Sequence, residues 1–154
     1  MFLKSLIITK GFGAIIRNIQ FQPGLNLIVD ETPTTSGKET GNNVGKTTVL
    51  KLVDFCLGAS AKGIYSDHEN KSAEYKLVKD FLADNKVCIS LILKDDLLKK
   101  DSREVLIERN FLPRKDKIQR IDGDKKTDSE FEETLTNLLF PGHYGKKPTF
   151  RQII

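Results

Sequence analysis

The chain opens on two short apolar-rich runs, residues 3–9 and 14–21, separated by Gly11-Phe12-Gly13. Each has the length and branched-residue content of a strand, and the second sets Ile15, Arg17, Ile19 and Phe21 on one face with Ile16 on the other. Gln22-Pro23-Gly24-Leu25 is a turn, because proline presets φ and the glycine that follows tolerates a positive one. Residues 25–29 (Leu-Asn-Leu-Ile-Val) are nearly all apolar, the pattern of a strand covered on both faces. The first two strands are expected to pair as an antiparallel ribbon while the third runs into the interior.

The period changes from two to 3.6 after Lys46. Val49, Leu52, Val53, Cys56 and Leu57 then fall on one helical face, with Gly58 as the stop. Residues 74–82 can form a short helix through Leu77, Val78 and Phe81. Alternation returns at residues 87–93, with Val87, Ile89, Leu91 and Leu93 facing one way. Residues 95–102 turn the chain into a strand at 104–111, and Pro113 separates that from a shorter strand at 117–121. Asp122-Gly123 is a hairpin-type turn. Arg109 and Arg120, the basic residues of these strands, are expected to face solvent and make salt bridges. Ser129 and Glu132 have capping-box spacing and open a helix carrying Phe131, Leu135, Leu138 and Leu139 on one side, closed by Phe140-Pro141-Gly142.

Candidate chemistry lies between the third strand and the first helix, in Gly41-Asn42-Asn43-Val44-Gly45-Lys46-Thr47-Thr48. A strand, a glycine-bearing turn and a helix opening Gly-Lys-Thr-Thr make a phosphate-binding loop. Backbone N–H groups from Asn42 to Thr48 can point at an anion, helped by the positive end of the helix dipole. Lys46 can reach the terminal phosphates, and the Thr47 hydroxyl can complete the shell of a phosphate-bound Mg2+. Gly45 keeps a Cβ out of the phosphate's way. One departure stands out: Thr40 occupies the place of the first glycine in the usual pattern, and Gly41 comes one position late.

Residues 30–40 are polar and proline-bearing, roughly ten more than the minimal strand-to-loop connection. They read as a flexible insertion, either a flap or partner contact, or a tolerated surface excursion.

The remaining composition adds bounds. At 154 residues, 38% hydrophobic and 30% charged, the chain fits a single globular domain with a polar surface. It has neither a membrane-length apolar run nor a signal-peptide pattern, so a cytoplasmic location is expected. A net charge of +4 and a pI near 9.0 are mild, compatible with nucleic-acid contact but equally with a solvated surface. Cys56 and Cys88 fall inside apolar patterns and read as buried, reduced thiols. His68 stands alone in a polar stretch.

Phe21-Gln22-Pro23-Gly24-Leu25-Asn26-Leu27-Ile28-Val29, the loop at 41–48 and Leu52-Val53-Asp54-Phe55-Cys56-Leu57-Gly58 together resemble the N-terminal ATPase lobe of SMC-like and double-strand-break-repair ATPases of the ABC superfamily. The Asn-Asn-Val-Gly-Lys-Thr-Thr form and the inserted tip look closest to an uncharacterised bacterial coiled-coil branch, sometimes linked to phage-defence operons. The resemblance covers about the first 60 residues well; the closing Lys-Pro-Thr-Phe-Arg-Gln-Ile-Ile is a weaker match.

The resemblance implies an α/β fold: a P-loop NTPase lobe of ABC/SMC head type, with an antiparallel β subdomain packed on a Walker A helix. Residues 1–154 would form one lobe of a split head. It implies ATP and Mg2+ as ligands, with Thr47 toward the metal and Gln152 as a candidate for the glutamine that touches Mg2+ and the attacking water. The implied partners are the C-terminal lobe of the same ATPase, a second head in an ATP-dependent homodimer, and DNA, in repair, maintenance or phage defence. The arginine that family members place near the first turn has no counterpart in Lys10-Gly11-Phe12-Gly13. The acidic Walker B pair and the Ser-Gly-Gly signature are also missing, so no catalytic residue is assigned, and the chain by itself is expected to bind ATP and hydrolyse it negligibly. Two other classes stay open: an interaction module with a vestigial loop, suggested by Thr40, and a small P-loop kinase, which the β-rich middle disfavours.

Overall fold

The computed structural model describes residues 1–11, 13–28, 46–66 and 73–142. Six strands form one antiparallel sheet: β1 (Phe2–Lys10), β2 (Ala14–Gln20), β3 (Cys88–Lys94), β4 (Glu104–Asn110), β5 (Gln119–Ile121) and β6 (Asp124–Lys125), in the spatial order β2-β1-β3-β4-β5-β6. The helices are α1 (Lys46–Cys56), α2 (Lys62–Tyr65), α3 (Lys76–Asp84) and α4 (Asp128–Leu139). The fold is thus α/β in composition but antiparallel in its sheet.

Strand register explains the core. Leu6 lies opposite Leu91, Leu91 opposite Ile107, and Ile107 opposite Ile121, so one row of branched side chains crosses four strands. All four are buried. The neighbouring row on the same face runs Ile8, Ile89, Arg109, Gln119. Leu52, Phe55 and Cys56 from α1 and Phe131 and Leu135 from α4 join the strand residues in one apolar cluster. Phe55 stacks on Phe111 with ring centroids 4.6 Å apart and planes 12° from parallel.

Several sequence expectations are met. The β1–β2 ribbon is antiparallel, with a register break between Ile8 and Thr9. Asp122 (φ 51°) and Gly123 (φ 87°) turn β5 into β6 as a primed hairpin does. Gly58 (φ 102°) ends α1: its N–H donates to Phe55 O and that of Ala59 to Asp54 O, which together make a Schellman cap.

Others need correction. Residues 25–28 form no strand, and Leu25 and Leu27 are 83% and 74% exposed. The expected burial required a neighbouring strand on each side, and among the described residues no strand pairs with this segment; Val29 lies outside them. Pro23-Gly24 does turn the chain: Asn26 Oδ1 accepts from the Gln22 N–H at 2.8 Å, and its Nδ2 donates to Gln22 O. The helix expected at residues 74–82 exists as α3, but it buries Leu82, while Leu77, Val78 and Phe81 face outward. Val87 continues from α3 into β3, and this sharp connection permits only one residue of the helix to reach the core.

The capping box is also displaced. Thr127, not Ser129, is the N-cap of α4: its Oγ1 accepts from the Glu130 N–H at 3.3 Å, and Glu130 Oε2 accepts from the Thr127 N–H at 2.8 Å. The real box begins two residues earlier because Asp128 is already helical. Thr127→Ala is expected to cost about 1 kcal/mol of stability, against a near-neutral Ser129→Ala, by urea unfolding.

Candidate functional site

Gly41, Asn42, Asn43, Val44 and Gly45 lie outside the described residues, as do residues 30–40, His68 and Gln152. Of the predicted phosphate-site residues, the structure brings Lys46, Thr47 and Thr48 into the opening turn of α1. Thr47 and Thr48 are both exposed there, and the first turn carries no acidic side chain. Its backbone donors and positive dipole end therefore face no competing carboxylate of their own helix. The hydroxyl of Thr47 is the hard oxygen donor that an Mg2+ held by phosphates would accept. Among the described residues no cluster of three or more His, Cys, Asp or Glu could bind a metal unaided.

The other end of α1 is built around a residue that sequence reasoning set aside. Arg109 is 9% exposed, contrary to the expected solvent-facing role. Its Nη1 donates to the carbonyls of Phe55 and Ala59, the latter at 3.0 Å. Its guanidinium carbon lies 4.2 Å from the Phe55 ring centroid and 5.4 Å from that of Phe131. Burial draws its pKa down from the ordinary arginine value, opposed by the fields of Cys56 and Asp128. Strand parity carried the missing signal: Arg109 shares a face with Val105 and Ile107, and Gln119 shares one with Ile121. Arg120, of opposite parity, behaves as expected, lying 45% exposed and 4.0 Å from Glu108.

A cavity of about 300 Å3 lies beside Arg109, bounded by Gly58, Ser60, Lys117, Gln119, Asp128 and Glu132. Its polar walls satisfy one another: Asp128 Oδ1 accepts from both Lys117 Nζ and Gln119 Nε2. The bond from Lys117 is the main cause that holds the Asp128 carboxyl below its usual range. This cavity is at the C-terminal end of α1, the length of the helix away from Lys46.

The thiols are inert. Burial pushes Cys56 up strongly and raises Cys88 to about 11, so both stay protonated at neutral pH. Cys88 is only half-buried, a departure from expectation: its parity is opposite to that of Val87 and Ile89, which places it on the other face of β3. No described helix is long and apolar enough to cross a membrane.

At the far end of the sheet Glu104 accepts from Lys4 Nζ at 2.6 Å and pairs with Lys94 Nζ at 3.1 Å. The Lys4 bond, then the Lys94 bond, lowers its pKa from 4.5. A carboxyl depressed by folding contributes stability that is complete above the unfolded value and lost as pH falls through the folded one. Glu104→Gln should therefore flatten the fall in stability below pH 4.5 and leave the neutral-to-basic limb unchanged, measured by urea titrations at stepped pH.

Comparison with known proteins adds the fold's relatives. A solved structure concerning the ATP-driven dimerisation and DNA-stimulated activation of SMC ATPases superposes with a TM-score of 0.58, at 20% identity, covering 90% of this chain and 80% of that one. The chain shares its fold with an SMC ATPase. No protein-family profile matches the sequence, and no curated protein does. The SMC-like likeness is thus one of architecture, and the sequence resemblance to a bacterial coiled-coil branch gains no support from it.

Proposed function

We propose that the chain is the ATP-binding N-terminal lobe of an SMC-like ATPase, with residues 42–48 as its phosphate cradle. The observation that carries this reading is the opening of α1. Lys46-Thr47-Thr48 open the helix, Thr47 and Thr48 are exposed, and the first turn is free of acidic side chains, in a fold shared with an SMC ATPase. In this reading the amides of Asn42, Asn43, Val44, Gly45, Lys46, Thr47 and Thr48 hold the phosphates, Lys46 neutralises the terminal ones, and Thr47 holds Mg2+. Bound Mg2+ supplies charge neutralisation at the β- and γ-phosphates. Gln152 is proposed to touch the metal once the lobe is complete.

Hydrolysis then requires a second lobe carrying the acidic pair and the signature. Leu25, Leu27, Ile28 and Leu50 are large apolar side chains left exposed in this one. A docking contact for that lobe through Leu25, Leu27 and Ile28, three exposed apolar residues close together in the chain, is part of the proposal. ATP-dependent pairing with a second head, and DNA as the macromolecular partner in repair, maintenance or defence, are the assembly and role proposed with it, in the cytoplasm.

Isothermal calorimetry with ATP and Mg2+ tests the reading. Saturable heat from the wild type that disappears in Lys46→Ala is expected. Absence of heat from both proteins overturns it in favour of the vestigial module suggested by Thr40, and acceptor-dependent ADP formation overturns it in favour of a kinase.

A further inference from the structure

Arg109 combines three features that ordinary surface arginines lack. It is a cation on the core face of a sheet, it is roofed by two aromatic rings, and it is bonded to the carbonyl end of α1 rather than to a carboxylate. Its nearest acid of note, Asp128, is engaged with Lys117 and Gln119. The negative end of the α1 dipole adds to the fields of Cys56 and Asp128 that offset the burial of Arg109.

The two carbonyls it takes are those of Phe55, in the last turn of the helix, and Ala59, just past the Schellman cap. Together with the Phe55–Phe111 stack, this fixes α1 at one end to β4. Lys46 and Phe55 stand nine positions apart on the helix, so its first residue lies about 14 Å from that anchor. α1 also packs along its length through Val49, Leu52 and Val53, so the clamp acts together with that packing, and losing it tilts the axis into a displacement at the opening turn. A phosphate cradle tolerates displacements well below 1 Å before its bonds lengthen. The same cation also offsets the negative pole of α1, which otherwise opposes anion binding at the positive one.

We propose that Arg109 is a positioning residue for the phosphate site: a buried guanidinium clamp that sets the axis of α1 from its C-terminal end. The inference rests on the nucleotide-binding reading and adds to it a remote determinant of affinity. Arg109→Met keeps the apolar stem and removes the fork; Arg109→Lys keeps the charge but can serve the two carbonyls only as a point donor. Ile121→Val, a buried truncation on β5, serves as a destabilising control outside the clamp.

The experiment measures Mg·ATP affinity by calorimetry on each full-length protein at a temperature where circular dichroism shows it folded, alongside backbone amide exchange in α1 and β3. Expected are a loss of about tenfold or more in affinity for Arg109→Met, partial recovery in Arg109→Lys, and wild-type affinity in Ile121→Val. Exchange should quicken in α1 more than in β3 in the Met variant. Wild-type affinity in Arg109→Met, or an equal loss in Ile121→Val, overturns the clamp while leaving the nucleotide reading standing. Absence of binding by the wild type overturns both.

Discussion

Lys46→Ala is expected to weaken Mg·ATP binding by about 100-fold, or about 2.7 kcal/mol, without lowering the unfolding midpoint. The magnitude follows from what one ammonium does for a triphosphate: charge-assisted bonds contribute roughly 1.5–3 kcal/mol each, and in the proposed reading this one meets the most highly charged end of the ligand. Stability should hold because Lys46 is the first residue of α1, where a helix gains little from its side chain. Thr47→Ala offers the graded companion. It should weaken binding in Mg2+ but barely change binding in EDTA, because the hydroxyl is assigned to the metal and not to the phosphate. Equal losses for Thr47→Ala with and without the metal would remove Thr47 from that role.

The largest stability effect is expected from Phe55→Ala, at about 3–5 kcal/mol by urea unfolding. Phe55 is 2% exposed, stacks on Phe111 and covers one face of the Arg109 guanidinium. Its removal opens a cavity and also uncovers a buried cation, so the loss should lie in the upper part of that range. Against total stabilities of about 5–15 kcal/mol for domains, this takes away a large share. Leu77→Ala on α3 is the contrast. Leu77 is 87% exposed, and its truncation should move stability by no more than about 0.5 kcal/mol. The two results together discriminate between a helix face that packs and one that only has the composition to do so.

That contrast shows where the sequence was legible. Apolar alternation located β3 and its inward face without error, because Val87, Ile89, Leu91 and Leu93 agree in parity and in chemistry. The switch to a helical period located α1, and Gly58 its end. Phe55 was left out of the expected stripe. It is nevertheless buried, because α1 packs over a broad sheet and uses a wider face than that stripe. Arg109 was misread because charge was weighted above parity; in a β-strand the pleat fixes the direction of a side chain before its polarity is consulted. Residues 25–28 illustrate the reverse. Their apolar character was read correctly, but burial depends on a neighbour, and among the described residues no strand pairs with them. The candidate loop itself was legible only as a motif. Its helical half is seen to begin α1, and the residues before it lie outside those described.

The position of β1 inside the sheet governs how the chain reaches its fold. Thr9 and Cys88 meet across β1 and β3 although they are 79 positions apart. Pairing of this kind is non-local, so the sheet should close slowly, after its hairpins have formed. The entropy of closing such a span grows only with the logarithm of its length. Adding or removing about ten residues within it changes the closure term by only about 0.1 kcal/mol. The stretch at 30–40 sits inside that span, so evolution could lengthen or shorten it almost without thermodynamic consequence.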